Sequence, residues 1–430
     1  HWIKTPIEWL HYDHMLFSVV LLEVLHLYPI MYLNLSATLS NLDPSLEEMA
    51  STLGVPSWKR YKDIIWPLVR PGFFSGSFIV FIWALTDLGT PLLVGFRETM
   101  PVQIFNMITD IHSNPVGFAL VFFIIVLTVT LFIISKKSVA SKNYEMIARG
   151  HSTSAIKNAS LVMTVGIYLC IGSVIFLALI PHTTVIITSI SHRWFMTPLP
   201  EQWTLEHYTM IIKQQLPFVG VKNSLVLSLA STLVDAVLGL TIAYLVTRSL
   251  KKHGKWLDGV SMIPLALPGI VLAFGYVVTF SGTFLDPLHN PAPLLIIAYS
   301  VRRLPYMVRA ATAGLQQTSK SLEEASETFG ASKLQTMRKI TIPLVTANLI
   351  AGGLLCFSYA MLDVSDSMIL AMKDQYYPMT KAIYSLYLEQ GSGEFIASAL
   401  GVVSMLILTL CILGASLILG KKMGELFKSS

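Results

Sequence analysis

The chain has 430 residues, 53% of them hydrophobic and only 13% charged, with a mean hydropathy of +0.64. A soluble domain carries about twice that charged fraction, so the composition excludes an ordinary soluble enzyme and points to a polytopic membrane protein. The net charge of +5 is distributed as membrane topology rather than as a nucleic-acid footprint.

Apolar runs able to cross about 30 Å of hydrocarbon recur at 15–35, 73–94, 117–135, 160–182, 223–247, 258–281, 292–313, 345–370 and 396–420. Backbone polar groups in lipid must be satisfied within the segment, and no period-2 alternation marks a membrane barrel. The expected fold is therefore an all-helical transmembrane bundle. Gly, Pro and polar residues inside the runs predict helices that pack on one another or line a path.

Before the first run, His11 and His14 flank Asp13 and read as surface groups rather than a metal site. After it comes a polar segment, 43–70, with Ser45-Leu46-Glu47-Glu48, Ala50, Gly54, Pro56 and Pro67. Ser45 is placed to cap a helix with Glu48 as its reciprocal partner. Gly54 suits a left-handed helix end, and Pro56 the first turn of a second helix. Pro67 interrupts the pattern where the next run begins. The segment predicts a helix, a glycine turn and a second helix.

The second run ends at Asp87-Leu88-Gly89-Thr90-Pro91, which breaks helical regularity up to Gly95. A basic stretch, 141–157, then leads into the later runs. Between 183 and 222, Trp194, Pro198, Pro200, Trp203 and Tyr208 suit a membrane interface, as scaffold first and docking surface second. Cys170, Cys356 and Cys411 lie inside apolar runs, so packing rather than disulfides or metal is expected.

The whole pattern repeats after 276 residues, Ser45 recurring as Ser321. Pro29, Met31, Ala37 and Leu39 recur as Pro305, Met307, Ala313 and Leu315. Thr52, Gly54, Ile64 and Pro67-Leu68-Val69 recur as Thr328, Gly330, Ile340 and Pro343-Leu344-Val345. Gly76, Phe81, Ala84 and Asp87 recur as Gly352, Phe357, Ala360 and Asp363. Six runs separate the copies, so both face the same side. The loops on that side hold 23 of the 30 Lys and Arg residues, including Arg302, Arg303 and Arg309, which marks it as cytoplasmic. The repeat is parallel, unlike the inverted repeats of many carriers.

Residue 1 aligns with Val277, so about three helices are expected to precede the chain. The expected layout is 1–140, the end of a first half with its loop at 43–70; a linker, 141–157; and 158–430, a second half with its loop at 319–346.

The doubled loop resembles the EAA loop of ABC importer permeases: Glu-Ala-Ala, three residues, Gly, nine residues, then Ile-x-Leu-Pro. The chain has Glu48-Met49-Ala50, Gly54, Ile64 and Pro67, then Glu324-Ala325-Ser326, Gly330, Ile340 and Pro343. Met49, Ser326, Trp66 and Ile342 are mild departures. The resemblance covers essentially the whole chain. It implies that Glu47, Glu48, Ala50, Gly54, Glu323, Glu324, Ala325 and Gly330 couple the permease to an ATP-binding subunit, expected in two copies.

No phosphate-binding glycine loop with Lys-Ser/Thr is present, so ATP and Mg belong to that partner and the chain itself is not an enzyme. A periplasmic or lipid-anchored binding protein is the other expected partner, beside membrane lipid. The expected location is the bacterial inner membrane. Asp87, Asp363, Asp235 and Asp366 are candidates for the translocation path, since carboxylates in lipid are costly; bonding to backbone or neighbouring helices is the other reading.

Trp194, Leu199-Pro200 and Trp203-Thr204-Leu205-Glu206-His207-Tyr208 resemble the fused ferric-iron permeases. Thiamine, 2-aminoethylphosphonate and polyamine permeases are similar alternatives. An ion-coupled carrier is the rival class, and it would leave the twin loops without purpose.

Overall fold

A computed structural model describes residues 6–40, 42–108, 115–140, 160–194, 197–249, 254–389 and 391–419. The expected linker at 141–157 lies outside these, as do Lys251, Lys252, Lys421, Lys422 and Lys428.

The described residues are almost wholly helical. The first eight helices are α1 (Pro6–Ser40), α2 (Pro44–Thr52), α3 (Ser57–Arg60), α4 (Trp66–Thr86), α5 (Gly89–Val94), α6 (Met100–Met107), α7 (Val116–Ala140) and α8 (Leu161–Ser189). A two-strand antiparallel ribbon, β1 (Ser191–Arg193) with β2 (Gln202–Trp203), follows. Then come α9 (Glu206–Lys213), α10 (Gln215–Tyr244), α11 (Gly254–Ala266), α12 (Gly269–Phe280), α13 (Ala292–Gln317), α14 (Lys320–Thr328), α15 (Lys333–Thr336), α16 (Ile342–Met361), α17 (Ser365–Leu370), α18 (Met379–Tyr387) and α19 (Gly393–Leu419).

Seven helical stretches among the described residues are long and apolar enough to cross a membrane. Two of the nine expected spans differ. The one at 258–281 is not straight: α11 and α12 meet at 95°, at Leu267-Pro268, where proline removes a backbone donor and restricts the residue before it. The one at 292–313 is helical but carries Arg302, Arg303 and Arg309 within α13. Arg302 and Arg303 are thus mid-helix residues, not loop charges. Large apolar side chains are exposed along α8, as expected of a surface solvated by lipid tails.

The chain divides into two compact units, one of His1–Gln103 with Phe118–His182, the other of Ile104–Gly117 with Thr183–Ser430. Inside the first, α1 packs on α4 and α5; inside the second, α10 packs on α13 and α16, and α16 on α19. One apolar cluster joins α10, α13 and α16 through Ala243, Ala311, Leu315 and Val345, and another joins α9, α16, α18 and α19 around Met379 and Leu400.

The same helix crossing is built in each unit. A Cβ on Gly76 of α4 would stand 2.9 Å from Sδ of Met31 and 3.1 Å from Cβ of Asn34. At the matching positions 276 residues on, a Cβ on Gly352 of α16 would stand 3.4 Å from Sδ of Met307 and 2.5 Å from Cβ of Ala310. One turn away the small residue changes helix: Gly72 on α4 lies against Thr38, whereas Gly314 on α13 lies against Asn348. Close approach needs one glycine per crossing, and either helix can supply it.

Candidate functional site: twin loops and a buried charge cluster

Both repeated loops fold alike. α2 and α14 each end in a glycine turn, with φ of +74° at Gly54 and +87° at Gly330. Around the first turn Val55 N–H donates to Ala50 O at 3.0 Å and Gly54 N–H to Ser51 O at 3.0 Å; around the second, Ala331 N–H donates to Ser326 O at 3.1 Å and Gly330 N–H to Glu327 O at 3.0 Å. These bonds satisfy the last carbonyls of each helix, and the left-handed backbone is why glycine recurs. α3 and α15 follow. Each then passes through a single π turn, Tyr61–Ile65 and Met337–Thr341, directly into α4 and α16. Pro67 and Pro343 therefore do not end the helix: each stands directly after the π turn, where the wider turn accommodates a residue that has no N–H to donate.

The expected caps are displaced. Asp43, not Ser45, caps α2, its Oδ1 accepting from Ser45 N–H at 2.9 Å. Those bonds hold the Asp43 carboxyl below its usual range. Ser319, not Ser321, caps α14, accepting from Ser321 N–H at 3.3 Å. Pro44 explains the shift in the first loop, since its fixed φ is already helical and makes the preceding residue the cap. A reciprocal capping box forms on α15 instead, between Ser332 and Gln335.

The paired glutamates of the second loop point opposite ways. Glu324 is exposed and meets Lys320 Nζ at 2.9 Å. Glu323 is 7% exposed and turned into its own chain, where its Oε1 accepts from Arg248 Nε and Thr341 Oγ1, both at 3.3 Å. It anchors the loop rather than presenting it. In the first loop Glu48 is exposed, Glu47 half-buried and Ala50 buried; Ala325 of the second is exposed.

Sequence reasoning missed a pair of outward-facing apolar groups on each loop. Leu53 is 82% and Phe329 92% exposed, at matching repeat positions, and Trp58 and Leu334, again matching, are 70% and 78% exposed. Each loop thus carries two bare apolar side chains flanking its glycine turn. The 276-residue offset held the signal, because an apolar residue recurs at both positions inside a polar loop.

The four aspartates fall into two environments. Asp363 follows the last turn of α16 and is 3% exposed. Its Oδ2 accepts from Arg302 Nη1 and Arg303 Nη2, both at 2.6 Å, and its Oδ1 accepts from Asp366 N–H at 2.8 Å and Ser367 N–H at 3.3 Å. Asp366 Oδ2 adds a 3.3 Å bond from Arg302. One carboxylate thus starts α17 and binds it to α13. Asp235 of α10 is fully buried beside Arg303, with no hydrogen bond to either carboxylate oxygen among the described residues.

Asp87, the counterpart of Asp363, repeats only the cap, accepting from Thr90 N–H at 2.8 Å. Where α13 has Arg302 and Arg303, α1 has His26 and Leu27; where α13 has Tyr299, α1 has Glu23, 9% exposed and beside Asp87. Arg302, Arg303 and Glu23 also escaped sequence reasoning, although charge inside an apolar run is itself a signal. Among the described residues, no group of three or more His, Cys, Asp or Glu is arranged to hold a metal. The three cysteines are free.

Residues 5–141 and 235–425 match the family described as binding-protein-dependent transport system inner membrane component. A ferric transport system permease protein FbpB of Actinobacillus pleuropneumoniae is 26% identical over 83% of this chain and 52% of its own length. A putative ferric transport system permease protein FbpB 1 of Haemophilus influenzae is 27% identical over 83% of this chain and 57% of its own. The chain therefore spans somewhat over half the length of these relatives. A molybdate/tungstate transport system permease protein WtpB of Pyrococcus furiosus is 25% identical over 44% of this chain and 73% of its own. Among solved structures, a bacterial ABC transporter involved in the import of the acidic polysaccharide alginate matches 62% of this chain and 98% of that chain, at 18% identity and a TM-score of 0.47. With both repeats matched, and with the same loop folded twice, this chain belongs to the family of binding-protein-dependent transport system inner membrane components.

Proposed function

We propose that this multi-pass membrane chain is the permease subunit of an ATP-driven, binding-protein-dependent importer in a bacterial inner membrane, and that its substrate is ferric iron. The observation that carries the reading is the pair of loops with matched apolar tips, Leu53 with Trp58 and Phe329 with Leu334. Four bare apolar side chains on polar loops are what a groove on a partner would bury. Two such knobs fit two copies of an ATP-binding subunit. Nucleotide that favours one arrangement of that pair then biases the two halves between inward- and outward-open forms.

Ferric iron is supported by the relatives called ferric transport permeases, which align across both halves. The molybdate/tungstate relative aligns with less than half of the chain.

The test is ATP hydrolysis by the full-length permease, co-purified with its ATPase in lipid vesicles. Its binding protein would be supplied loaded in turn with ferric iron, molybdate, thiamine, 2-aminoethylphosphonate or putrescine. Stimulation by the ferric form alone supports the whole reading. Stimulation by another form replaces the substrate and keeps the mechanism. If no ATPase associates, the importer reading fails.

A further inference from the structure

One side chain ties the second loop to the membrane helices. Arg248 lies in the π turn Leu245–Ser249 that ends α10. Its Nη2 donates to Leu315 O at 2.8 Å, Thr318 O at 2.8 Å and Thr318 Oγ1 at 3.2 Å, and its Nε donates to Glu323 Oε1 at 3.3 Å. The Arg248 and Glu323 side chains are 11% and 9% exposed. Glu323 Oε1 also takes the hydroxyl of Thr341, at the end of the π turn leading into α16. A single guanidinium and a single carboxylate thus join α10, the C-terminus of α13, the loop helix α14 and the entry to α16.

The chemistry suits a rigid joint. The last carbonyls of α13 lack the regular i to i+4 bond, Leu315 O taking only a 3.3 Å bond from Thr318 N–H and a 3.0 Å bond from Thr318 Oγ1. They carry the negative end of the helix dipole, so a cation there is favoured. A planar guanidinium offers its donors in a fixed fork, which a lysine ammonium cannot do. Only Thr318 separates α13 from the cap of α14, and without the joint that residue would serve as a hinge. The first loop differs: Ile65 stands where Thr341 does, so the hydroxyl bond to the carboxylate is not reproduced there.

We propose that Arg248 is a positioning residue for coupling: with Glu323 it converts α14, α10 and α13 into one moving body, so that displacement of the loop reaches the membrane helices instead of being absorbed at Thr318. This rests on the importer reading above.

The experiment uses the full-length permease reconstituted with its ATPase and loaded binding protein, comparing Arg248→Ala, Glu323→Gln and the double variant. Three quantities are read: ATPase co-purification, ATP hydrolysed per substrate imported, and melting temperature. Co-purification is expected to stay at the wild-type level, because the apolar tips are untouched. ATP consumed per substrate is expected to rise about tenfold in Arg248→Ala, a typical coupling factor, and less in Glu323→Gln. The double variant is expected to be no worse than Arg248→Ala, since the two residues act through one another.

An unchanged ATP-to-substrate ratio in both single variants, or effects that multiply in the double, would overturn the joint. Should Arg248→Ala fail to fold, Glu323→Gln decides alone, because it keeps the bonds from Arg248 to Leu315 and Thr318. A wild-type complex that binds no ATPase refutes the importer reading itself, a result separable from either of these.

Discussion

Arg303 of α13 and Asp363 at the end of α16 meet at 2.6 Å with side chains 7% and 1% exposed, and Arg302 reaches the same carboxylate oxygen at 2.6 Å. Desolvating such groups is offset only when every charge keeps its partner. Asp363→Asn is therefore expected to cost about 3–5 kcal/mol, the usual price of breaking a buried pair. Asp87→Asn should cost about 1 kcal/mol or less, since that carboxylate accepts one backbone bond and faces Glu23 rather than an arginine. Melting curves of the two variants in detergent check this; equal losses would mean that the arginines do not stabilise the second half.

The matched crossings allow a comparison within one molecule. Gly352→Ala drives a Cβ to 2.5 Å from Ala310 Cβ, whereas Gly76→Ala meets first the flexible sulfur of Met31 at 2.9 Å. Overpacking of this kind costs about 1–3 kcal/mol, and the larger loss is expected for Gly352→Ala. Ala310→Gly in the same chain should restore most of it. The interchange of Gly72 and Thr38 for Asn348 and Gly314 is the natural precedent. A double variant melting no higher than Gly352→Ala alone would show that the crossing is not the source of the cost.

Gly330 has a φ of +87°, and an added Cβ would find no atom within 4 Å. Any effect of Gly330→Ala is thus backbone strain, about 1–2 kcal/mol for a left-handed residue with a side chain. Gly330→Asn should be milder, because asparagine tolerates that region. The strain can be relieved by unwinding the end of α14, so ATPase co-purification is expected to fall in the order glycine, asparagine, alanine. Alanine at the wild-type level would mean that the turn geometry does not matter to the partner.

Much of this was legible in the sequence because it is written locally. The loop spacing and the break at Asp87 follow from residues a few positions apart, the repeat needs only a comparison of the chain with itself, and Gly54 and Gly330 mark left-handed turns wherever they occur in such a loop. What escaped depends on distant pairing. Counting Arg302 and Arg303 as loop charges was reasonable in one dimension, yet they are neutralised by a carboxylate some 60 positions away. Glu323 and Glu324 are indistinguishable as letters; only the approach of Arg248 from another helix turns one inward. The cap of the first loop was missed for a local reason, the fixed φ of Pro44, whereas in the second loop Lys320 follows the capping Ser319 and no proline is involved.

The apolar tips yield the most direct separation of stability from function. Phe329 and Leu334 are 92% and 78% exposed, so Phe329→Ser should leave melting unchanged, surface substitutions staying within about 0.5 kcal/mol. A large apolar side chain seated in a partner groove behaves as a hot spot, where truncation costs about 2 kcal/mol or more of binding. Phe329→Ser, and Leu53→Ser in the other loop, are therefore each expected to weaken ATPase association by roughly thirtyfold, at 1.4 kcal/mol per factor of ten. Lys320→Gln is the control: it removes a surface ion pair at 2.9 Å whose side chains are 58% and 61% exposed and which solvent screens. Titration of the ATPase against permease in lipid nanodiscs would read all three. If the serine variants bind as the wild type does while the control weakens binding, the partner is recognised by charge at α14 and the apolar tips face lipid or water instead.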